Sequence, residues 1–458
     1  MSAAEVRSLL CAAADVSDQA RDVLLKLYDP TGEALLPIGA NIPPNTNADG
    51  EQYRLVIKRA NYVPQRPQEV KQVVEELNAV AAVVQNVKQI KQRVDDIKQE
   101  ASEIQHGGLA HTPADDISSH AQTRPAIRRV RQVANLGIEA PLVHNFPPEV
   151  TENLKHPTFD VWQWEDSEMV GLVEQMFQEF GLIDEFNIER EKLHRFLQCA
   201  RSSYNKNPFH NFRHCFCVTQ MMYGLLHVTG VHEKLNKMEK LVLLTACIGH
   251  DLDHPGFNNA YQINANTELA LIYNDVSPLE NHHAAVLFTI LKSPETNILA
   301  NLSDADYKEV RKQIIQCILA TDMAKHGDIL ARFKQYSEAG FNFEDPAQRQ
   351  LLLQVITKCS DISNEVRPKE VSEPWVDSLL EEFFTQSDVE KAQGLPTAPF
   401  MDRQKVTKAS AQVGFIGFVM IPLFELVAKV LPNMEEPVIQ PIRKALDYYK
   451  GLLEKQSS

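Results

Sequence analysis

Apolar residues follow four successive patterns along this 458-residue chain. From Ala3 to Ala14 they recur at helical spacing, and they then shorten to strand-length runs at Val23–Tyr28, Ala34–Ile38 and Tyr53–Lys58. An Asp29-Pro30-Thr31-Gly32 turn separates the first two runs. Residues 1–62 thus predict a small α+β N-terminal unit, with no residue that suggests chemistry.

Gln68 to Gln105 contains neither Gly nor Pro, and its apolar positions step by three and four. Val70, Val73, Leu77, Val80, Val84 and Val87 form a heptad seam, which Ile90, Val94, Ile97, Ala101 and Ile104 continue after a stammer. Residues 67–105 predict a coiled-coil helix that pairs two copies into a homodimer; a long helix packed on its own chain is the other reading. Residues 106–156, rich in Gly, Pro, Ser, His and Asp around a short basic stretch, read as a linker.

Beyond Thr158 the spacing turns helical and stays so to about Lys450. Segments fall near 166–180, 189–203, 208–229, 237–249, 307–323, 347–363, 375–386 and 403–430, with almost no strand-like alternation. Residues 157–450 predict one all-α domain, large enough to hold a deep pocket between helices. Its longest apolar run, Val413 to Phe424, contains Pro422 and is shorter than the about 20 residues a bilayer span needs. A buried core helix, and no transmembrane segment, is expected.

Charge narrows the partners. With 46 Lys+Arg and 61 Asp+Glu, the formal charge of 46 − 61 = −15 argues against nucleic acid polymers or an anionic membrane surface. A small anion is still admissible where bound cations supply local positive charge. The seven cysteines are scattered without CxxC spacing, and MSAAEVRSLL has no apolar signal region, so a reducing, cytoplasmic setting is expected.

The candidate chemistry is concentrated. Nine of the fifteen histidines lie between His210 and His326. In His210-Asn211-Phe212-Arg213-His214, preceded by Asn207-Pro208 as cap and first helical residue, the two histidines would stand one turn apart on a helix face. His250-Asp251-Leu252-Asp253-His254-Pro255-Gly256 ends the apolar helix Leu241 to Ile248, where an unpartnered Asp would be costly and a divalent ion would supply the partner. An exposed loop with incidental acids is the plainer alternative. Asn274-Asp275, Glu280-Asn281-His282-His283 and Lys358-Cys359-Ser360-Asp361-Ile362-Ser363-Asn364, taken singly, read as caps or turns. Together, His214, His250, Asp251 and Asp361 make a nitrogen/oxygen set suited to Zn2+, with nearby His and Glu able to hold Mg2+ or Mn2+ through water. Asp251 could bridge two such ions, an arrangement suited to in-line attack at phosphorus.

The string His250 to Tyr261 resembles the signature of the class I 3′,5′-cyclic nucleotide phosphodiesterases, a multi-helix HD-type metal hydrolase fold. The HNFRH stretch, Ser360-Asp361-Ile362-Ser363-Asn364 and Ala411-Gln412-Val413-Gly414-Phe415 recur there in the same order. Thr158 to Trp162, Tyr273 to His283 and Pro399 to Arg403 are most similar to the type 9, cyclic-GMP-specific subfamily. The resemblance implies His214, His250, Asp251 and Asp361 as zinc ligands, Asp251 being shared with a second ion, usually magnesium. It implies His254, Glu280 and Thr321 as residues that order metal-bound water, and His210 as the general acid at the leaving O3′. Gln412 would hydrogen-bond the purine, Phe415 would stack on it, and Ile362, Leu379 and Phe383 would line the slot. A histidine in the first helical turn is disfavoured as a cation by the dipole, so a carboxylate is expected to counter that effect, and the resemblance implies Glu382 for that position.

Position 383 is Phe where the type 9 pattern carries Tyr, which bears on strictness for cyclic GMP and not on catalysis. The expectation is hydrolysis of cyclic GMP to 5′-GMP. The alternatives are a dual or cyclic-AMP-preferring enzyme, a general His-Asp phosphohydrolase, or a catalytically weak scaffold of the same fold.

Overall fold

The computed structural model describes residues 23–28, 35–36, 54–59 and 146–457. In the N-terminal part, β1 (Val23–Tyr28), β2 (Leu35–Leu36) and β3 (Arg54–Arg59) form a sheet in the order β2-β1-β3. β1 and β2 run antiparallel, with Leu27 opposite Leu36 and Tyr28 opposite Leu35. The expected helix at Ala3 to Ala14, the coiled coil at 67–105 and the linker up to residue 145 lie outside the described residues.

Residues 146–457 are helical. The helices of eight or more residues are α1 (Asp166–Glu179), α2 (Arg190–Ser203), α3 (Phe212–Val228), α4 (Lys237–Gly249), α5 (Pro278–Lys292), α6 (Asp304–Leu319), α7 (His326–Ala339), α8 (Pro346–Asp361), α9 (Lys369–Gln393), α10 (Lys408–Ala428) and α11 (Gln440–Ser457). A short helix at Pro148–Asn153 opens the region inside the span read as linker, and Val150 and Leu154 are buried in the common core. Local sequence sets several boundaries. Asn236 and Glu239 close a reciprocal capping box at the start of α4, and Asp345 caps α8 by accepting from the Ala347 and Gln348 N–H groups.

The centre is a packed group of α3, α4, α6 and α8. Their facing sides are almost wholly apolar and buried: Phe216, Met221 and Met222 on α3, Leu241 to Leu244 on α4, Val310 and Ile314 on α6, Leu352 and Val355 on α8. Burial of this kind is worth about 1.5–3 kcal/mol for each large side chain. It also makes the helix ends rigid, and three of those ends carry the metal candidates.

Two expectations are corrected. The helix bearing His214 begins at Phe212, not at Pro208, and its cap is Asn211, whose side chain accepts from the His214 N–H at 3.1 Å. Capping requires an acceptor, but the Asn207 amide is used as a donor to the His210 and His254 carbonyls. His210 therefore precedes the helix. Second, α10 falls within the helical segment expected near 403–430, but its apolar character is not confined to Val413–Phe424. Pro422 does not end it, because a π-helical turn at Ile416–Met420 loosens the backbone just before the proline. At 21 residues α10 is long and apolar enough to cross a membrane by length and composition alone. Its Leu423, Phe424, Leu426 and Val427 are nevertheless buried in the helical core.

Candidate functional site

Three helix ends meet at one point. His214 stands in the first turn of α3, His250 caps the C-terminus of α4, and Asp361 is the last residue of α8; Asp251 follows directly on His250. His214 Nε2 lies 3.3 Å from His250 Nε2, 3.5 Å from Asp251 Oδ2 and 3.3 Å from Asp361 Oδ1. His250 Nε2 lies 3.1 Å from Asp251 Oδ2 and 3.4 Å from Asp361 Oδ1.

These spacings fit a shared cation. Ligands about 2.0–2.2 Å from one centre are separated by about 2.8–3.6 Å along the edges of an octahedron or tetrahedron. The ring orientation fits as well: His250 Nδ1–H donates to Cys247 O at 2.8 Å, so Nε2 is the nitrogen that faces the cluster and would serve as the ligand atom. Burial opposes charge on both carboxylates, yet both lie below the ordinary carboxylate range. For Asp251 the opposing cause is led by the His250 charge, and for Asp361 by hydrogen bonds from His214 and His250. Both stay anionic, as ligands must. The C-terminal carbonyl ends of α4 and α8 add further attraction for a cation.

A second group adjoins the first. His283, on α5, donates its Nδ1–H to Leu252 O at 2.7 Å, and its Nε2 is 3.6 Å from Asp251 Oδ1. Asp251, His254 and His283 can present their ligand atoms to one point, so Asp251 is common to two potential metal positions. Burial holds both His254 and His283 below the ordinary imidazole range, His283 at about 4. Neutral imidazoles are the form that binds metals. His283 was absent from the expected site, because within Asn281-His282-His283 nothing but tertiary structure distinguishes which histidine faces Asp251.

Glu280 is buried and accepts from Asn259 Nδ2 at 2.9 Å; burial, then the nearby Asp322, push its carboxyl up to about 7. The Thr321 hydroxyl is donated to Ile318 O at 2.8 Å rather than to any ligand side chain.

His210 is held by α9. One oxygen of Glu382 accepts the backbone N–H groups of Phe209 (3.0 Å) and His210 (3.1 Å), while the other faces His210 Nδ1 in a short contact. The His210 ring stacks on that of His254, centroids 4.0 Å apart and planes 17° from parallel. Burial disfavours the imidazolium, but the Glu382 charge and hydrogen bond outweigh it and raise His210 to about 8. The expected countering carboxylate is present, although what it counters is burial and not a helix dipole.

The expected slot residues come from neighbouring elements: Ile362 just after α8, Leu379 and Phe383 on α9, Gln412 and Phe415 on α10. Ile362, Leu379, Phe383 and Phe415 are half-buried, whereas Gln412 is buried. The Gln412 side-chain N–H donates to the buried Glu365, whose role was not foreseen although it adjoins the Ser360 to Asn364 motif. That bond leaves the Gln412 carbonyl oxygen as the acceptor of the amide. The Phe383 ring meets exposed Phe400 edge-on, with centroids 6.2 Å apart.

Residues 209–441 match the family described as 3′5′-cyclic nucleotide phosphodiesterase, and the chain belongs to that family. It is 54% identical over 305 residues to the high affinity cGMP-specific 3′,5′-cyclic phosphodiesterase 9A of Mus musculus, covering 67% of this chain and 57% of the relative. The protein of that name from Homo sapiens is also 54% identical, with 67% of this chain and 51% of the relative covered. The chain thus spans about half the length of these curated relatives. Among solved structures, the phosphodiesterase domain of the RhoPDE fusion protein from the choanoflagellate Salpingoeca rosetta matches with a TM-score of 0.64 and 36% identity, over 66% of this chain and 96% of that one.

Proposed function

We propose that this protein hydrolyses 3′,5′-cyclic nucleotides to 5′-monophosphates, with cyclic GMP as the preferred substrate. One observation carries the reading: the four convergent donors His214, His250, Asp251 and Asp361 stand beside a histidine whose Nδ1 is held by a carboxylate. The 54% identity to cGMP-specific relatives supports the substrate.

His214, His250, Asp251 and Asp361 would hold Zn2+, and Asp251, with His254, Glu280 and Thr321 disposed around bound water, would hold Mg2+ or Mn2+. Divalent ions there supply charge neutralisation for the phosphodiester and an activated water for in-line attack. His210, its Nδ1 held by Glu382, keeps a proton on Nε2 for the departing O3′. The Gln412 oxygen, oriented by Glu365, accepts from the purine edge, and Phe415 offers a face for stacking opposite Ile362, Leu379 and Phe383. A cytoplasmic setting and a homodimer paired through residues 67–105 complete the reading and rest on the sequence pattern.

The test is a side-by-side measurement of kcat/KM for cyclic GMP and cyclic AMP with the purified protein. A clear preference for cyclic GMP is expected. Equal values would overturn the substrate preference, and no hydrolysis of either would overturn the enzymatic reading.

A further inference from the structure

Asn207 is the residue that the helix boundary freed from its expected capping role. Its half-buried carboxamide has two backbone partners: Nδ2 donates to His210 O at 2.9 Å and to His254 O at 2.8 Å. Both are carbonyls, so only the nitrogen can face them and the amide orientation is fixed. The Asn207 backbone oxygen in turn accepts from Asn211 Nδ2 at 3.0 Å, the residue that caps α3. On the other side lies Gly256, with φ +81°; a Cβ there would stand 3.1 Å from Asn207 Oδ1. The Asn207 side chain therefore joins two pieces of backbone, the segment carrying His210 and the loop carrying His254, while its backbone oxygen holds the Asn211 side chain at the start of the helix carrying His214.

We propose that Asn207 is a positioning residue for the proton-donating step: by tying the His210 and His254 carbonyls together, it keeps their stacked rings in register. The inference rests on the assignment of His210 as the proton donor. In that step a water oxygen bonds to phosphorus and releases one proton to solvent, from which His210 is later reprotonated. The P–O3′ bond breaks with its electron pair passing to O3′, and O3′ takes the proton from His210 Nε2. Glu382 holds the His210 ring and its backbone N–H, and Asn207 holds its carbonyl oxygen. Ring and backbone must both be held for the ring to meet an oxygen whose place is set by the substrate.

Neighbouring Asn205 provides an internal comparison. Its Nδ2 also donates to His254 O, at 2.9 Å, and to Asp253 Oδ1 at 3.2 Å, so both of its N–H bonds go to the 253–254 loop. If stiffness of the His254 loop were all that mattered, the two asparagines would be equivalent.

The test compares cyclic GMP with its analogue bearing sulfur at the 3′ bridging position, whose thiolate leaves without needing a proton. Asn207→Ala should lower kcat for cyclic GMP by about 10- to 100-fold, part of the about 10²- to 10⁴-fold that general acid catalysis contributes. KM should stay within about twofold, the signature of an interaction used only in the transition state. Metal content should be unchanged, and most of the rate should return with the sulfur analogue. Asn207→Asp keeps the size and the Oδ1 contact but replaces the donor; it carries the test should the alanine variant not fold. Asn205→Ala should leave the oxygen-to-sulfur rate ratio near that of the wild type.

Equal losses on both substrates, a change confined to KM, lost metal, or the same ratio change in Asn205→Ala would overturn the proposal. His210→Ala, run in parallel, separates the two levels of argument. If it shows the selective loss and the Asn207 variants do not, only the role of Asn207 falls. If it too loses both substrates equally, the assignment of His210 as proton donor falls, and this proposal with it.

Discussion

Glu382 and His210 are joined at both the side chain and the backbone: the carboxylate faces the imidazole Nδ1 with one oxygen and takes the Phe209 and His210 N–H groups with the other. A single residue on α9 thereby sets the tautomer, the charge and the position of the inferred acid.

The pH dependence follows from that pair. Burial alone would lower the His210 pKa, and Glu382 reverses this to about 8. The acid must be protonated, so kcat/KM should fall as pH rises through about 8. In Glu382→Gln the opposing charge is gone while burial persists, so the descending limb should move to lower pH, with kcat at pH 7 down by about 10- to 100-fold. An unshifted limb in a pH–rate profile would remove Glu382 from this role.

Metal retention should divide the site into two sets. Asp361→Ala or His250→Ala removes one of four convergent donors and should abolish hydrolysis together with bound metal. His210→Ala should slow turnover and leave the metal in place. Elemental analysis of dialysed protein alongside rate measurement decides this, and metal loss in the His210 variant would contradict the assignment. Chelation of the wild type should lower its Tm, since a ligand bound only by the folded state stabilises it.

Base selectivity should depend on a residue that does not itself need to touch the base. Glu365→Ala frees the Gln412 amide to rotate, which should reduce the cyclic GMP over cyclic AMP ratio of kcat/KM by about fivefold, roughly one hydrogen bond's net worth. Phe383→Tyr adds a hydroxyl beside Phe400 and should raise that ratio. Unchanged ratios in both variants would move the source of selectivity elsewhere.

Stability should respond at Asp253, which adopts φ +59° and places Oδ2 at 2.9 Å from His282 Nε2. Ala at this position would meet a left-handed backbone cost of about 1–2 kcal/mol. It would also remove the partner of a buried histidine, for about 1–3 kcal/mol more. Asp253→Gly keeps the conformation and loses only the side-chain contacts, with His282 and Asn205, so it should be the milder change. Denaturant unfolding of the two variants separates these contributions, and equal midpoints would rule out the backbone cost.

Much of this site was legible because helical periodicity and ligand chemistry are local properties. The apolar spacing gave α1, α2, α4 and α8 to within a few residues. The residue types alone marked His214, His250, Asp251 and Asp361 as a nitrogen/oxygen ligand set, and the ordered motifs implied the family. Helices α5, α7 and α11 were passed over. At the start of α5, Glu280, His282 and His283 interrupt the apolar pattern with buried polar groups whose partners lie on distant segments.

What the sequence determined by itself was which residues could ligate, protonate and stack, since those capacities belong to the side chains. Tertiary structure decided which of them face one another. It placed His210 ahead of its helix, joined Glu365 to Gln412, chose His283 over His282 to face Asp251, and turned Asn207 from a cap into a bridge. These outcomes depend on where the ends of α3, α4 and α8 come to rest, and packing over the whole core sets that position. No local spacing encodes it.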